Sequence, residues 1–210
     1  MAKNIYPLRR PKFAKGIRSQ ETRAGTGRAE WAKKWFAALE RIDMGGRFGR
    51  GRNYAMSGQV VEVKRKGEKG KSAPNVVCAK VQGVRDGAYE VTIDFRVPPK
   101  AVRGRIAAAI RREPMLVARL LAGEMPMEVE EIFRREGYDL YPGAKLCNPA
   151  TLRPCNSATR KYDVVTGCTC PDYANPCKHV FAAMIILGEE IARRPSLLVE
   201  LRGITMEELV

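Results

Sequence analysis

Histidine is almost missing from this chain: His179 is the only one in 210 residues. If that imidazole is committed elsewhere, none is left for a Ser-His-Asp or Cys-His nucleophilic site. Two further signatures are absent, the G-x-x-x-x-G-K-[ST] loop of nucleotide hydrolysis and the H-x-E with P-C-x-x-C of the zinc deaminases. Glu128, Glu130 and Glu131 cluster in one short stretch, but at helical spacing they read as a solvated face rather than an acid–base pair. The expectation is a non-enzyme. No apolar run approaches the roughly 18 residues of a membrane span. Met1 to Arg28 is basic throughout and has no apolar h-region, so a secretory signal is not expected. Six cysteines are too few for a disulfide scaffold, which suggests a reducing, cytoplasmic setting.

Positive charge is abundant and unevenly placed. Lys and Arg number 38 against 23 Asp and Glu, a formal net charge of +15. Residues 1–112 carry 27 basic and 9 acidic side chains, and residues 113–210 carry 11 and 14. A basic front half is the electrostatic footprint of a polyanion partner, because Lys and Arg displace the counterions condensed on nucleic acid. The candidate contacts are Arg9, Arg10 and Lys12 in the N-terminal arm, Arg47, Arg50 and Arg52 in an Arg/Gly run, and Lys64, Arg65, Lys66, Lys69 and Lys71 around a hairpin tip.

The pattern along the chain predicts an α+β fold: a small antiparallel β meander plus helices, with a ββα-like C-terminal unit stapled through three closely spaced cysteines and the single histidine. Residues 1–28 read as a flexible basic arm. In 29–99, Trp31, Trp35, Leu39 and Ile42 repeat with helical period, so a helix is expected over 29–43, with both tryptophans in the core and Gly45-Gly46 at its end. Arg47-Phe-Gly-Arg-Gly-Arg52 reads as a loop, and strands are expected over 54–64, 75–84 and 88–97. The tip from Gly67 to Pro74 and the turn Arg85-Asp-Gly87 join them. A helical region, 100–141, follows Pro98-Pro99, with helices over 100–112, 114–122 and 126–136 and Gly123 and Gly137 at C-cap positions. The remainder, 142–210, holds a polar loop, the finger and the C-terminal helices.

Cys168-Thr-Cys170-Pro-Asp-Tyr-Ala-Asn-Pro-Cys177-Lys-His179 is a C-x-C-x6-C-x-H array. Three thiolates and one imidazole complete a tetrahedral Zn2+ shell and leave no open position for water. A short strand from Tyr162 to Val165 would deliver the first pair. Asn175 is positioned to cap a helix that starts at Pro176 and puts Cys177 and His179 in its first turn. That helix is apolar on more than one side and is expected to be buried. Cys147 and Cys155 lack the partners for a second closed site and read as unliganded thiols.

The array resembles the SWIM zinc finger, specifically its prokaryotic branch. Trp31 to Leu39, Arg50-Gly-Arg-Asn-Tyr-Ala-Met-Ser-Gly58, Val81-Gln-Gly83, Leu120-Leu-Ala-Gly-Glu-Met-Pro126 and Pro195-Ser-Leu-Leu to Arg202-Gly203 resemble that branch in order, so the likeness covers roughly 28–210. The basic arm, the Lys-rich tip and the 143–160 insertion depart from it. The resemblance implies Zn2+ on Cys168, Cys170, Cys177 and His179 and a DNA-binding or protein-interaction role, with a Swi/Snf-type ATPase or a recombinase as a protein partner. Together with the charge, it predicts a nucleic-acid-binding accessory factor, for DNA or RNA, with no membrane association. Two alternatives stay open: an adaptor for such an ATPase or recombinase, and a component of a large RNA-rich assembly such as a ribosome.

Overall fold

The computed structural model of the chain describes residues 15–20, 29–43, 45–66, 75–142, 146–147 (backbone) and 163–210. Helix α1, Glu30–Ile42, buries Trp35, Phe36, Leu39 and Ile42 and so follows its apolar period. Trp35 is fully buried, stacks on Phe95 with centroids 6.2 Å apart, and donates its indole N–H to the Met184 carbonyl at 3.1 Å. Gly188 permits that crossing, since a Cβ there would lie 2.4 Å from Trp35 Nε1.

The Arg/Gly run corrects the loop expectation: Arg47–Met56 is a helix, α2, with Gly46 in the left-handed region (φ 69°) as its N-cap. Two glycines cost a helix about 1 kcal/mol each, and packing offsets that cost. Phe48 meets Phe181 edge-on at 5.6 Å, and a Cβ on Gly51 would lie 2.6 Å from Phe181 Cβ and 2.8 Å from the Lys178 carbonyl. Because Tyr54 and Ala55 belong to α2, the first strand starts later than residue 54.

Strands β1 (Val60–Arg65), β2 (Val76–Gln82) and β3 (Ala88–Phe95) form the antiparallel meander. On β3, Tyr89, Val91, Ile93 and Phe95 are buried while Glu90, Thr92 and Asp94 face outward, the alternation of a half-buried strand. Helices α3 (Lys100–Arg111), α4 (Pro114–Leu121) and α5 (Met127–Arg135) follow, and Gly123 (φ 83°) and Gly137 (φ 78°) end α4 and α5 in the left-handed conformation. The short β4, Leu146–Cys147, runs parallel to β5, Val164–Cys168. Strand β5 lies antiparallel to β3, from Val91 opposite Cys168 to Phe95 opposite Val164, which gives the order β1-β2-β3-β5-β4. The finger strand is thus a member of the meander's own sheet; its expected first residue, Tyr162, lies outside the described residues.

Helix α6, Lys178–Arg193, is buried from His179 through Gly188 and again at Ile191; α7, Ser196–Leu201, closes the C-terminal end. One hydrophobic cluster runs from Trp35 to Leu209 and draws on the helices, β1–β3 and β5. Within the expected arm, residues 15–20 dock along β1 and α2: the N–H groups of Gly16, Ile17 and Ser19 bond the carbonyls of Gly58, Val60 and Ala55. Ser19 also hydrogen-bonds Glu189. Among the described residues, no helix is long and apolar enough to cross a membrane.

Candidate metal centre

β5 ends at Cys168, and the turn after it is pinned to β3. Thr169 N–H donates to the Glu90 carbonyl at 3.0 Å, and Glu90 N–H donates to Thr169 Oγ1 at 3.0 Å. The return loop closes on the strand it left. Asn175 Nδ2 donates to the Thr166 carbonyl at 2.6 Å, and Thr166 Oγ1 donates to Asn175 Oδ1 at 2.9 Å. That commitment corrects the expected cap: the Asn175 amide is spent on β5, and α6 starts at Lys178 with Cys177 as its extended N-cap. His179 is then the second helical residue.

The ligand atoms of Cys168, Cys170, Cys177 and His179 all lie within 4.8 Å of one another. His179 Nδ1 is 3.9 Å from Cys168 Sγ and 3.7 Å from Cys177 Sγ. Zn–S and Zn–N bonds of about 2.3 and 2.0 Å give tetrahedral edges of about 3.5–3.8 Å, so the quartet is already close to the shell zinc requires. The thiols titrate together. Hydrogen bonding from Cys168 and then Cys177 holds Cys170 far below the usual thiol range. The same bonds, with Cys170 first, push Cys168 up. At Cys177 the bond with Cys168 favours the thiolate, but the bond with Cys170 and burial outweigh it and push the thiol up to about 11. Three thiolates held this close repel one another, and a divalent cation is what permits all three to ionise. With four protein ligands present the centre is closed. It is positioned to bind a zinc ion, with the four-ligand shell characteristic of structural sites.

The imidazole is gripped from the N-terminal half. Tyr54 of α2 lies edge-on to it at 5.2 Å and Tyr89 of β3 sits 4.7 Å away. A Cβ on Gly83 would fall 3.2 Å from His179 Nε2 and 2.2 Å from Tyr89 Cε2, so the backbone must be bare there. Nε2 itself is buried and finds no hydrogen-bond partner among the described residues, and aromatic rings hold the ring orientation that a carboxylate or carbonyl usually fixes. Tyr54 and Gly83 fall within the motifs that resemble the SWIM branch, but neither they nor Tyr89 carry ligand spacing, and nothing local marks them as partners of the imidazole.

The basic candidates separate into two groups. Arg47 pairs with Asp172 at 3.4 Å, Arg52 with Glu40 at 3.5 Å, Arg65 with Glu200 at 2.6 Å and Lys64 with Glu62 at 3.0 Å. Arg50 and Lys66 are exposed, and Arg50 reaches the Gly45 and Gly46 carbonyls at 3.4 Å. Arg9, Arg10, Lys12, Lys69 and Lys71 lie outside the described residues, as do Cys155 and the Cys147 side chain.

Comparison with known proteins agrees with the geometry. Residues 163–188 match the SWIM zinc finger family. The chain is 31% identical over 205 residues to an uncharacterized protein of Mycobacterium tuberculosis, Rv2102. That alignment takes in 97% of this chain and 66% of the relative, so the chain spans just under two thirds of the relative's length. No solved structure matches the chain.

Proposed function

We propose that this SWIM zinc-finger chain is a non-catalytic accessory factor that binds nucleic acid through its basic N-terminal half. The observation that carries the reading is the charge: 27 Lys and Arg against 9 Asp and Glu over residues 1–112. Zinc supports it by position. α2, which bears Arg47, Arg50 and Arg52, packs on the first turns of α6, where His179 joins the metal. The metal thereby sets where those cations stand, while the closed shell gives it no reaction to perform. Contacts of this kind are to phosphate and carry little sequence information, so DNA and RNA are both substrates of the reading.

A second reading is favoured by one specific feature. Met115, Leu121 and Met127 are 71%, 61% and 64% exposed on α4 and α5. Apolar side chains left outside the core suit a protein partner such as a Swi/Snf-type ATPase or a recombinase. The deciding experiment is a salt titration of binding to matched duplex DNA, single-stranded DNA and structured RNA. A steep salt slope with one preferred substrate supports nucleic-acid binding. Weak, shallow and equal binding to all three overturns it in favour of the adaptor.

A further inference from the structure

Among the described aromatic residues, one alone is turned out to solvent: Tyr173, 87% exposed, at the tip of the zinc loop between Cys170 and Cys177. The other described tryptophans, tyrosines and phenylalanines are buried or half-buried. Exposing a ring forfeits burial that the fold uses elsewhere, and the loop around Tyr173 is not slack. Asp172 Oδ1 accepts the Ala174 N–H at 3.2 Å and faces Arg47 at 3.4 Å, and Asn175 is tied to Thr166 on β5. The ring is therefore held in place before any ligand arrives, which lowers the entropy cost of binding on it.

Its surroundings are cationic. The Arg47 guanidinium lies 5.7 Å from the Tyr173 ring centroid. Arg47, Arg50 and Tyr54 fall at i, i+3 and i+7 on α2, hence on one face. The two ends of that face touch the finger, Arg47 at Tyr173 and Tyr54 at Lys178, whose Nζ is 5.3 Å from the Tyr54 ring centroid. Arg50 stands between them, exposed. Three cations and an outward aromatic thus share one edge, with Asp172 already opposed by Arg47.

We propose that Tyr173 is a stacking platform for an unpaired base of a single-stranded nucleic acid, with Arg50 and Lys178 on the flanking phosphates. An exposed π face beside cations is the arrangement that accepts bases of any sequence from a single strand. A duplex keeps its bases stacked on each other and gives the ring nothing to bind. The assignment rests on the nucleic-acid reading above and narrows it to an unpaired strand.

The test compares the full-length zinc-loaded protein with Tyr173→Ala, Tyr173→Phe and Arg50→Gln. Binding of a labelled oligothymidylate and of a duplex of matched length is measured by fluorescence anisotropy at several salt concentrations. Zinc content and melting temperature serve as folding controls. Tyr173→Ala should weaken oligothymidylate binding about 5- to 150-fold, the equivalent of roughly 1–3 kcal/mol for one stacked base, and leave duplex binding and the salt slope alone. Tyr173→Phe should bind like the parent. Arg50→Gln should lower the single-strand salt slope by about 0.7, the value of one phosphate contact. If folded Tyr173→Ala binds oligothymidylate as the parent does, the platform is refuted and the ring is left to a protein partner, while nucleic-acid binding stands. Equal losses on single strand and duplex refute it as well. A parent protein that binds neither nucleic acid overturns the broader reading itself.

Discussion

Removing zinc should unfold the basic N-terminal half together with the finger. His179 is the reason, because the ligand that joins α6 to the metal also packs on Tyr54 of α2 and Tyr89 of β3. Cys168 ends a strand paired along β3, and Trp35 of α1 bonds the Met184 carbonyl one turn beyond the metal-binding end of α6. Binding of structural zinc is worth about 10–16 kcal/mol, comparable to the whole net stability of a domain, about 5–15 kcal/mol. Losing even a third of the metal term, about 4 kcal/mol, would lower Tm by about 8–16 °C at 2–4 °C per kcal/mol. The perturbations are His179→Ala and, separately, a chelator titration of the parent protein. Both tryptophans, Trp31 and Trp35, lie on α1 and bond carbonyls of α6, and Trp35 also stacks on Phe95 of β3, which makes the assay local. Tryptophan emission, the far-UV circular dichroism and released zinc should change in one transition. Zinc release that leaves native tryptophan emission in place, or two separated transitions, would refute the coupling and make the finger an independent unit.

Two further outcomes follow from buried groups. Arg202, fully buried, donates to both carboxylate oxygens of Asp163 at 2.8 Å and to the carbonyls of Leu140, Tyr141 and Arg96. Arg202→Met should cost about 3–5 kcal/mol by leaving the Asp163 charge uncompensated. Arg202→Met with Asp163→Leu should recover part of that loss, as read by urea denaturation, and strict additivity of the two would contradict the pairing. The second outcome concerns acid. Hydrogen bonding within the cluster and burial favour the protonated thiols of Cys168 and Cys177, while the bonds from Cys168 and Cys177 favour the Cys170 thiolate. Zinc binding near neutral pH should release protons, since thiols must ionise to ligate, and calorimetry in buffers of different ionisation enthalpy measures the release. Metal-bound thiolates sit below the unfolded thiol value of about 8.5, so the stability they add is present at neutral pH and is lost as pH falls. A melting temperature that rose on acidification from neutral pH would reverse that sign and exclude thiolate ligation.

Features with a local cause were legible in the sequence. The apolar period that buries Trp35 and Leu39, the alternation on β3, the glycines that close α4 and α5, and the four ligands each declare themselves within about a dozen residues. What stayed hidden depends on partners far along the chain. Arg47–Arg52 reads as a loop because Gly49 and Gly51 disfavour helix, and the packing that reverses this comes from Lys178 and Phe181. Gly83 resembles any turn glycine until Tyr89 and His179 fill the space where its side chain would be. Asn175 has the composition of a cap, yet its amide is drawn to Thr166 across the loop. Strand β5 shows its apolar run but not its neighbour on the sheet.

The same long-range contacts change what the charge means. Counted along the chain, the front half is strongly cationic; folded, Arg52 and Arg65 face Glu40 and Glu200, and Arg47 faces Asp172 of the finger. Partly buried pairs of this kind are poorly placed to exchange their carboxylate for a phosphate, since the exchange would leave the carboxylate without its partner. On the proposed nucleic-acid reading, affinity then comes from the cations left outside, such as Arg50 and Lys66, and from basic residues beyond the described segments. Arg47 acts differently. It neutralises Asp172, the carboxylate next to Tyr173, so a strand approaching that ring meets a cationic edge. Reversing that contact with Arg47→Glu should therefore weaken single-strand binding more than Arg50→Gln does, because it restores repulsion where the base must stack as well as removing attraction.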